Sequence, residues 1–295
     1  MNLSLSRSFP IAKAALAAAV IACTFALACS LIGCASGGTD SSSADAGNTS
    51  ASTDGKTLHV AMELAYPPFE TKDDAGNPEG LAVDFIRDFG AAYGYDVQIE
   101  NTAWDGLIPS LQSDKADLVI SSMTITDERK QSVDFSDAYA MAQLAILANA
   151  DSGVASIDDL NQPGKKVAVK TGSTGDVYAT KNLTNAEIVR LADESACVTE
   201  VVQGKADGFL YDQLTIYRNH QANPDTTEAV FIPFQDAEEW GIAVKKGDTE
   251  LLDQLNAFIA QSKTDGEFDR LTEKYLADEK KAFDQYGFKW FFDFE

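Results

Sequence analysis

From Lys56 onward the chain alternates two hydrophobic rhythms. The short runs TLHVAM, YDVQIE, ADLVI, KVAVK, AEIVR, ADGFL and WGIAV have the length and patterning of β-strands. Between several of them apolar residues recur at helical spacing. Leu81, Phe85, Ile86 and Phe89 share one helical face, as do Leu251, Leu252, Leu255, Phe258 and Ile259. Alternating strand and helix patterns predict an α/β fold with largely parallel sheets and right-handed crossovers.

Two irregular stretches interrupt the alternation. SGVASIDDLNQPGKK, polar and turn-rich, precedes a fresh strand–helix–strand series at KVAVK, and PFQDAEEW precedes WGIAVKKG and two C-terminal helical patterns. Those helices need a sheet to cover, and the first series lacks enough partners of its own. The pattern predicts a discontinuous first lobe, 56–142 plus 238–280, and an inserted second lobe, 143–237. The two crossings between them would form a hinge. The aromatic-rich tail, 281–295, is expected past the last helix, packed on its own domain.

Ahead of residue 56 the pattern changes. MNLSLSRSFPIAK carries Arg7 and Lys13 and no acid, and the apolar run AALAAAVIACTFALACSLIG follows. This is the pattern of a secretory signal, although the run is also long enough for an uncleaved anchor. Leu31-Ile32-Gly33-Cys34 then meets the small, polar tract ASGGTDSSSADAGNTSASTDG. It resembles a lipobox, which implies a signal peptide over 1–33, lipid on Cys34 and a flexible tether over 34–55. Cys29 and Cys23 close weaker matches to the same pattern. Cys197 is then left without a disulfide partner, a small core residue in a helical pattern with Val198, Val201 and Val202.

Composition narrows the class of partner. A net charge of -23 over 295 residues offers no basic face for nucleic acid and no charge attraction to anionic headgroups. No HExxH or CxxC pattern supplies a metal site, so no cofactor is expected. His59, on a strand, and His220, in an expected loop, form no triad with a serine.

Candidate chemistry gathers at the carboxyl ends of three strands, where open α/β sheets place their ligands. ADLVI runs into Ser121, Ser122 and Thr124, with Arg129 after them. KVAVK runs into TGSTG and a helix start, whose free N–H groups suit an anion. ADGFL runs into Tyr211-Asp212 at another helix start. Arg129 and the TGSTG amides can grip a carboxylate. Asp212, with the hydroxyls of 121–124, can accept from an amine, and Tyr66 and Trp104 can wall the pocket. Together these features describe a site for an α-amino acid. Arg129 could instead pair with Asp127 or Asp134 on the surface, Asp212 could be only a helix cap, and TGSTG only a turn.

Three further segments carry a family resemblance. Tyr66-Pro67-Pro68-Phe69, Trp104-Asp105-Gly106-Leu107-Ile108-Pro109 and Thr126-Asp127-Glu128-Arg129, with Asp134-Phe135-Ser136 after them, are similar in identity and order to the family 3 extracellular solute-binding proteins. These are the amino-acid-binding proteins that feed ABC importers, and the similarity runs from about Leu58 to Leu276. It implies a two-lobed periplasmic-binding fold of type II with a hinge and a discontinuous first domain. It also implies a ligand-binding set of Glu63, Tyr66, Phe69, Trp104, Ser121, Ser122, Met123, Thr124, Arg129, Lys170, Ser173, Thr174 and Asp212.

In that set Arg129, Ser173 and Thr174 would hold the ligand carboxylate. Asp212 and 121–124 would hold the ammonium, and Glu63 and Lys170 would read the side chain. An acid and a lysine on opposite sides suit a neutral amide, so the expected ligand is a polar amino acid, glutamine first. The resemblance further implies an ABC importer permease as partner and a monomer held by lipid on the outer face of the cytoplasmic membrane. A cyclohexadienyl-dehydratase-like enzyme, with Glu63 as its acid, and an amino-acid-sensing lipoprotein are the alternatives on the same fold.

Overall fold

The apolar runs assemble into two separate five-stranded sheets in a computed structural model that describes residues 56–286 and 289–294. The signal peptide, the lipid-bearing Cys34 and the tether lie outside the described residues. The first sheet runs in the order Tyr95–Asn101, Lys56–Met62, Leu118–Val119, Ala243–Lys245, Val133–Phe135. Its first three strands are parallel, and Ala243–Lys245 is antiparallel to both neighbours. The second sheet repeats this plan with Glu187–Leu191, Lys166–Lys170, Gly208–Asp212, Leu144–Asn149 and Thr227–Val230.

The sheets are therefore mixed rather than largely parallel, and the cause is the connectivity. In each sheet the antiparallel strand is the one entered directly after the chain arrives from the other sheet, so it needs no helical crossover. The arriving segments, Ala140–Ala142 and Glu238–Trp240, pair with each other as a two-stranded antiparallel ribbon. WGIAV accordingly splits at Gly241 into the end of that ribbon and a strand of the first sheet.

Each sheet has its own core. Helix Leu81–Tyr93 buries Leu81, Phe85, Ile86 and Phe89 against the first sheet, while Thr249–Ser262 buries Leu251, Leu255 and Ile259 and leaves Leu252 and Phe258 at the rim. In the second, KVAVK is covered on both faces. Val167 and Val169 pack beneath helix Thr174–Asn182, and Ala168 packs beneath Glu194–Val202. Cys197 is buried in the latter helix and its thiol is pushed up to about 12, chiefly by burial, which leaves it protonated and inert.

Two local expectations change. His220 lies inside helix Gln213–Ala222, not in a loop. The tail does not begin past the last helix, because a third C-terminal helix, Ala277–Tyr286, carries the chain into it. Beyond it Trp290 and Phe291 are buried in the first lobe's core, and Phe292 stacks on Phe268 at 4.6 Å between ring centroids.

Candidate functional site

Carboxyl-terminal strand ends from both sheets face one cleft. Its lining comprises Glu63, Tyr66, Trp104, Ser121, Ser122, Thr124, Arg129, Leu144, Ser173, Thr174, Tyr211, Asp212, Glu238 and Trp240. Ten of the residues singled out from the sequence are thus brought together. Phe69 and Met123 are not among them. Phe69 is fully buried behind Tyr66, with stacked rings 5.6 Å apart, and Met123 is buried in the first lobe's core between two cleft-lining neighbours, Ser122 and Thr124. Lys170 is also buried behind the lining, where it forms an ion pair with Glu63.

The first lobe supplies hydroxyls on a strained segment. Ser122 adopts φ 47°, a left-handed conformation that costs a non-glycine residue on the order of 1–3 kcal/mol. Its Oγ donates to both carboxyl oxygens of Glu70, at 2.8 and 3.1 Å. Glu70 is fully buried, and burial pushes its pKa well above the usual range, against the Ser122 bond. It closes the YPPFE turn through paired backbone bonds with Tyr66. One buried acid thus connects the tyrosine wall to the serine segment.

Arg129 pairs with neither Asp127 nor Asp134. Its Nη1 donates to Thr124 O at 2.7 Å and its Nη2 reaches across the cleft to Gly172 O at 3.1 Å. Its guanidinium lies 5.2 Å from the centroid of the Trp104 ring, and the Lys170 ammonium lies 5.1 Å from the same ring. Trp104 therefore meets two cations.

The second lobe offers two helix starts. Ser173 caps helix Thr174–Asn182, accepting from Asp176 N. Gly172 takes φ 74°, and a side chain at Gly175 would come within 2.4 Å of Leu210 O, so the helix can approach the neighbouring strand only with glycine there. Asp212 is the cap of Gln213–Ala222, its Oδ1 accepting from Leu214 N and Thr215 N at 2.9 and 3.1 Å. Burial raises its pKa, while Tyr66 and the cap bonds oppose that rise. A cation beside it would favour its charged form.

Leu144, Tyr211, Glu238 and Trp240 were not singled out from the sequence. Tyr211 and Trp240 flank Tyr66 edge-on at 6.4 and 5.9 Å and complete an aromatic wall. Tyr211 neighbours Asp212 at a named strand end, which was an available signal. Glu238 had none: it is one acid among 46 Asp and Glu, in an irregular stretch. Among the described residues there is no group of His, Cys, Asp and Glu that could hold a metal, and no helix long and apolar enough to cross a membrane.

Known proteins resemble this chain in sequence and fold. The model of the bacterial extracellular solute-binding proteins, family 3, matches residues 58–278. A probable histidine-binding protein of Neisseria gonorrhoeae is 35% identical over 257 residues, 86% of this chain and 94% of that protein. Among solved structures, an ancestral amino-acid-binding protein described as a precursor of cyclohexadienyl dehydratase has a TM-score of 0.68 at 38% identity, covering 74% of this chain and 94% of its own. A binding component of an ABC transporter from Wolinella succinogenes, complexed with lysine, has a TM-score of 0.69 at 36% identity, covering 76% and 97%. These relatives are binding proteins and not enzymes, and the two-lobed α/β fold is theirs. On sequence and fold together, this chain belongs to the bacterial extracellular solute-binding proteins of family 3.

Proposed function

We propose that the protein is the extracytoplasmic substrate-binding component of an ABC importer, capturing a polar amino acid with an uncharged side chain, glutamine first. The observation that carries the choice of side chain is the Glu63–Lys170 ion pair, with Glu63 in the cleft lining and Lys170 directly behind it. It sets an acceptor in the cleft wall with a donor directly behind it, the two groups a carboxamide requires, and it is neutral as a unit. Glu194 lies nearby and is pushed up to about 8 by burial and by Asp212, so it adds no charge at neutral pH. Asp212 remains for the ligand ammonium. A cationic side chain reaching Glu63 would compete with Lys170 for the one carboxylate they share, without a spare anion to balance it.

Energies are sufficient. A charge-assisted hydrogen bond contributes about 1.5–3 kcal/mol, and micromolar binding needs about 8 kcal/mol in total. Closure would be a population shift driven by contacts to both lobes, and the closed form would be presented to the permease. Leu31-Ile32-Gly33-Cys34 supports a lipid anchor on the outer face of the membrane. Mass spectrometry of the mature N-terminus tests it, with Cys34→Ala expected to release the protein to the medium.

The ligand is tested by unfolding and refolding the purified protein to strip carried-over ligand, then measuring thermal stabilisation by each of the twenty amino acids and calorimetric affinity for the hits. Glutamine is expected among the strongest. Arginine or lysine binding tenfold tighter than glutamine would overturn the side-chain assignment, and silence across the set would overturn the amino-acid reading.

A further inference from the structure

Glu238 stands on the ribbon strand Glu238–Trp240, where the chain returns to the first sheet. Its Oε2 accepts from Thr124 Oγ1 of the first lobe at 2.9 Å and from Thr174 Oγ1 of the second lobe at 2.7 Å. Its Oε1 accepts from Gln235 Nε2 at 2.7 Å. Burial raises the Glu238 pKa, against the bonds from Thr174, Thr124 and Gln235 and the positive field of Arg129, and Glu238 in turn helps keep the guanidinium charged against the cost of burial. Two hydroxyls, an amide and a cation from separate parts of the chain thus converge on one carboxylate. Thr124, Thr174 and Arg129 are also the groups at the cleft that could receive the carboxylate of an incoming amino acid.

We propose that Glu238 is a built-in competitor for the carboxylate position of the cleft, bridging Thr124 and Thr174 while the site is empty and leaving them when a ligand carboxylate arrives. The proposal rests on the reading of the cleft as an amino-acid site. Two carboxylates sharing one hydroxyl pair would repel each other at close range, so ligand and Glu238 exclude one another there. Glu238 thereby sets an affinity threshold: it lowers the apparent affinity of every ligand with a free carboxylate, and it disfavours weak ligands that cannot displace it.

The purified full-length protein, stripped by unfolding and refolding, is compared with Glu238→Gln and Glu238→Ala, the isosteric Gln variant guarding against a folding defect in Ala. The first arm uses no amino acid. Sodium acetate, against equimolar sodium chloride, is expected to raise the melting temperature of Glu238→Ala and not of wild type, because acetate fills the vacated receptor.

The second arm is calorimetry with the best amino acid of the screen. Both variants are expected to bind about tenfold tighter, equivalent to about 1.4 kcal/mol, and the gain is expected to vanish with the corresponding α-carboxamide. Weaker binding by both variants would overturn the proposal and make Glu238 a ligand contact. Unchanged affinity together with no acetate response would also overturn it. If acetate stabilises Glu238→Ala while no amino acid binds any of the three proteins, the receptor stands and the amino-acid reading falls.

Discussion

Phe291 packs against Phe69, ring centroid to ring centroid at 5.2 Å, and Phe69 stacks in turn on Tyr66 of the cleft wall at 5.6 Å. The tail is thus continuous with the core that supports the site. Its backbone joins in, since Phe291 O accepts from Met141 N of the inter-sheet ribbon at 2.7 Å. The family match ends at residue 278, and the tail lies past it.

Truncating that ring should be costly. Phe291 is fully buried, and Phe291→Ala is expected to lose about 3–5 kcal/mol of stability. Denaturant unfolding would show it as a lower midpoint at unchanged slope. A loss within the range of an ordinary surface substitution would mean that the tail does not pack this way.

Arg129 should resist conservative replacement. Its guanidinium bonds Thr124 O and Gly172 O in two directions, which a lysine ammonium cannot reproduce. Arg129→Ala and Arg129→Lys are each expected to weaken ligand binding at least tenfold, about 1.4 kcal/mol, with the far-UV circular dichroism unchanged. Calorimetry at wild-type affinity for either variant would remove Arg129 from the site.

Glu70 is a positioning residue for Ser122. Glu70→Ala strips the half-buried Ser122 hydroxyl of its acceptor, at an expected cost of about 1 kcal/mol, and releases a segment held at positive φ. Glu70→Gln keeps an acceptor in place and should cost less than half as much while retaining binding. Equal damage from the two substitutions in urea unfolding would argue that the bond is not what matters.

The elevated Glu194 carboxyl predicts a pH signature. Unfolded, it titrates near the ordinary value of 4.5; folded, near 8. Below about 4.5 both states hold the proton, and the group adds no pH dependence. Between the two values the unfolded chain releases its proton first, so stability falls with rising pH, and the loss is complete above about 8. Glu194→Gln should remove that fall. Thermal melts from about pH 4 to about pH 9 should superpose with wild type at the acid end and run higher at the alkaline end. A constant offset would contradict the assignment.

Much of the α/β framework was legible because it is written in local periodicity. KVAVK, ADGFL and YDVQIE carry their strands in the run itself, and the strand ends pointed to Ser121, Thr124, Ser173 and Asp212. What failed was whatever depends on partners distant in the chain. ADLVI forms only a two-residue ladder at Leu118–Val119, and the antiparallel strands of each sheet follow from connectivity that no local pattern contains. Taking 121–124 as a block missed that Met123 is buried in the core while Ser121, Ser122 and Thr124 line the cleft. Glu238, Glu194 and Glu70 were invisible for one shared reason: an acid on a soluble chain reads as surface until burial and a named partner distinguish it.

Trp104 and Trp240 line the cleft, whereas the third tryptophan of the chain, Trp290, is buried in the tail. The two cations beside the Trp104 ring come from opposite lobes, Arg129 from the first and Lys170 from the second. Separating the lobes would remove the Lys170 ammonium from the ring and admit water to the indole, while Trp290 stayed in its dry surroundings. The protein accordingly carries its own optical gauge of opening and closing, with an internal reference, readable without any attached dye.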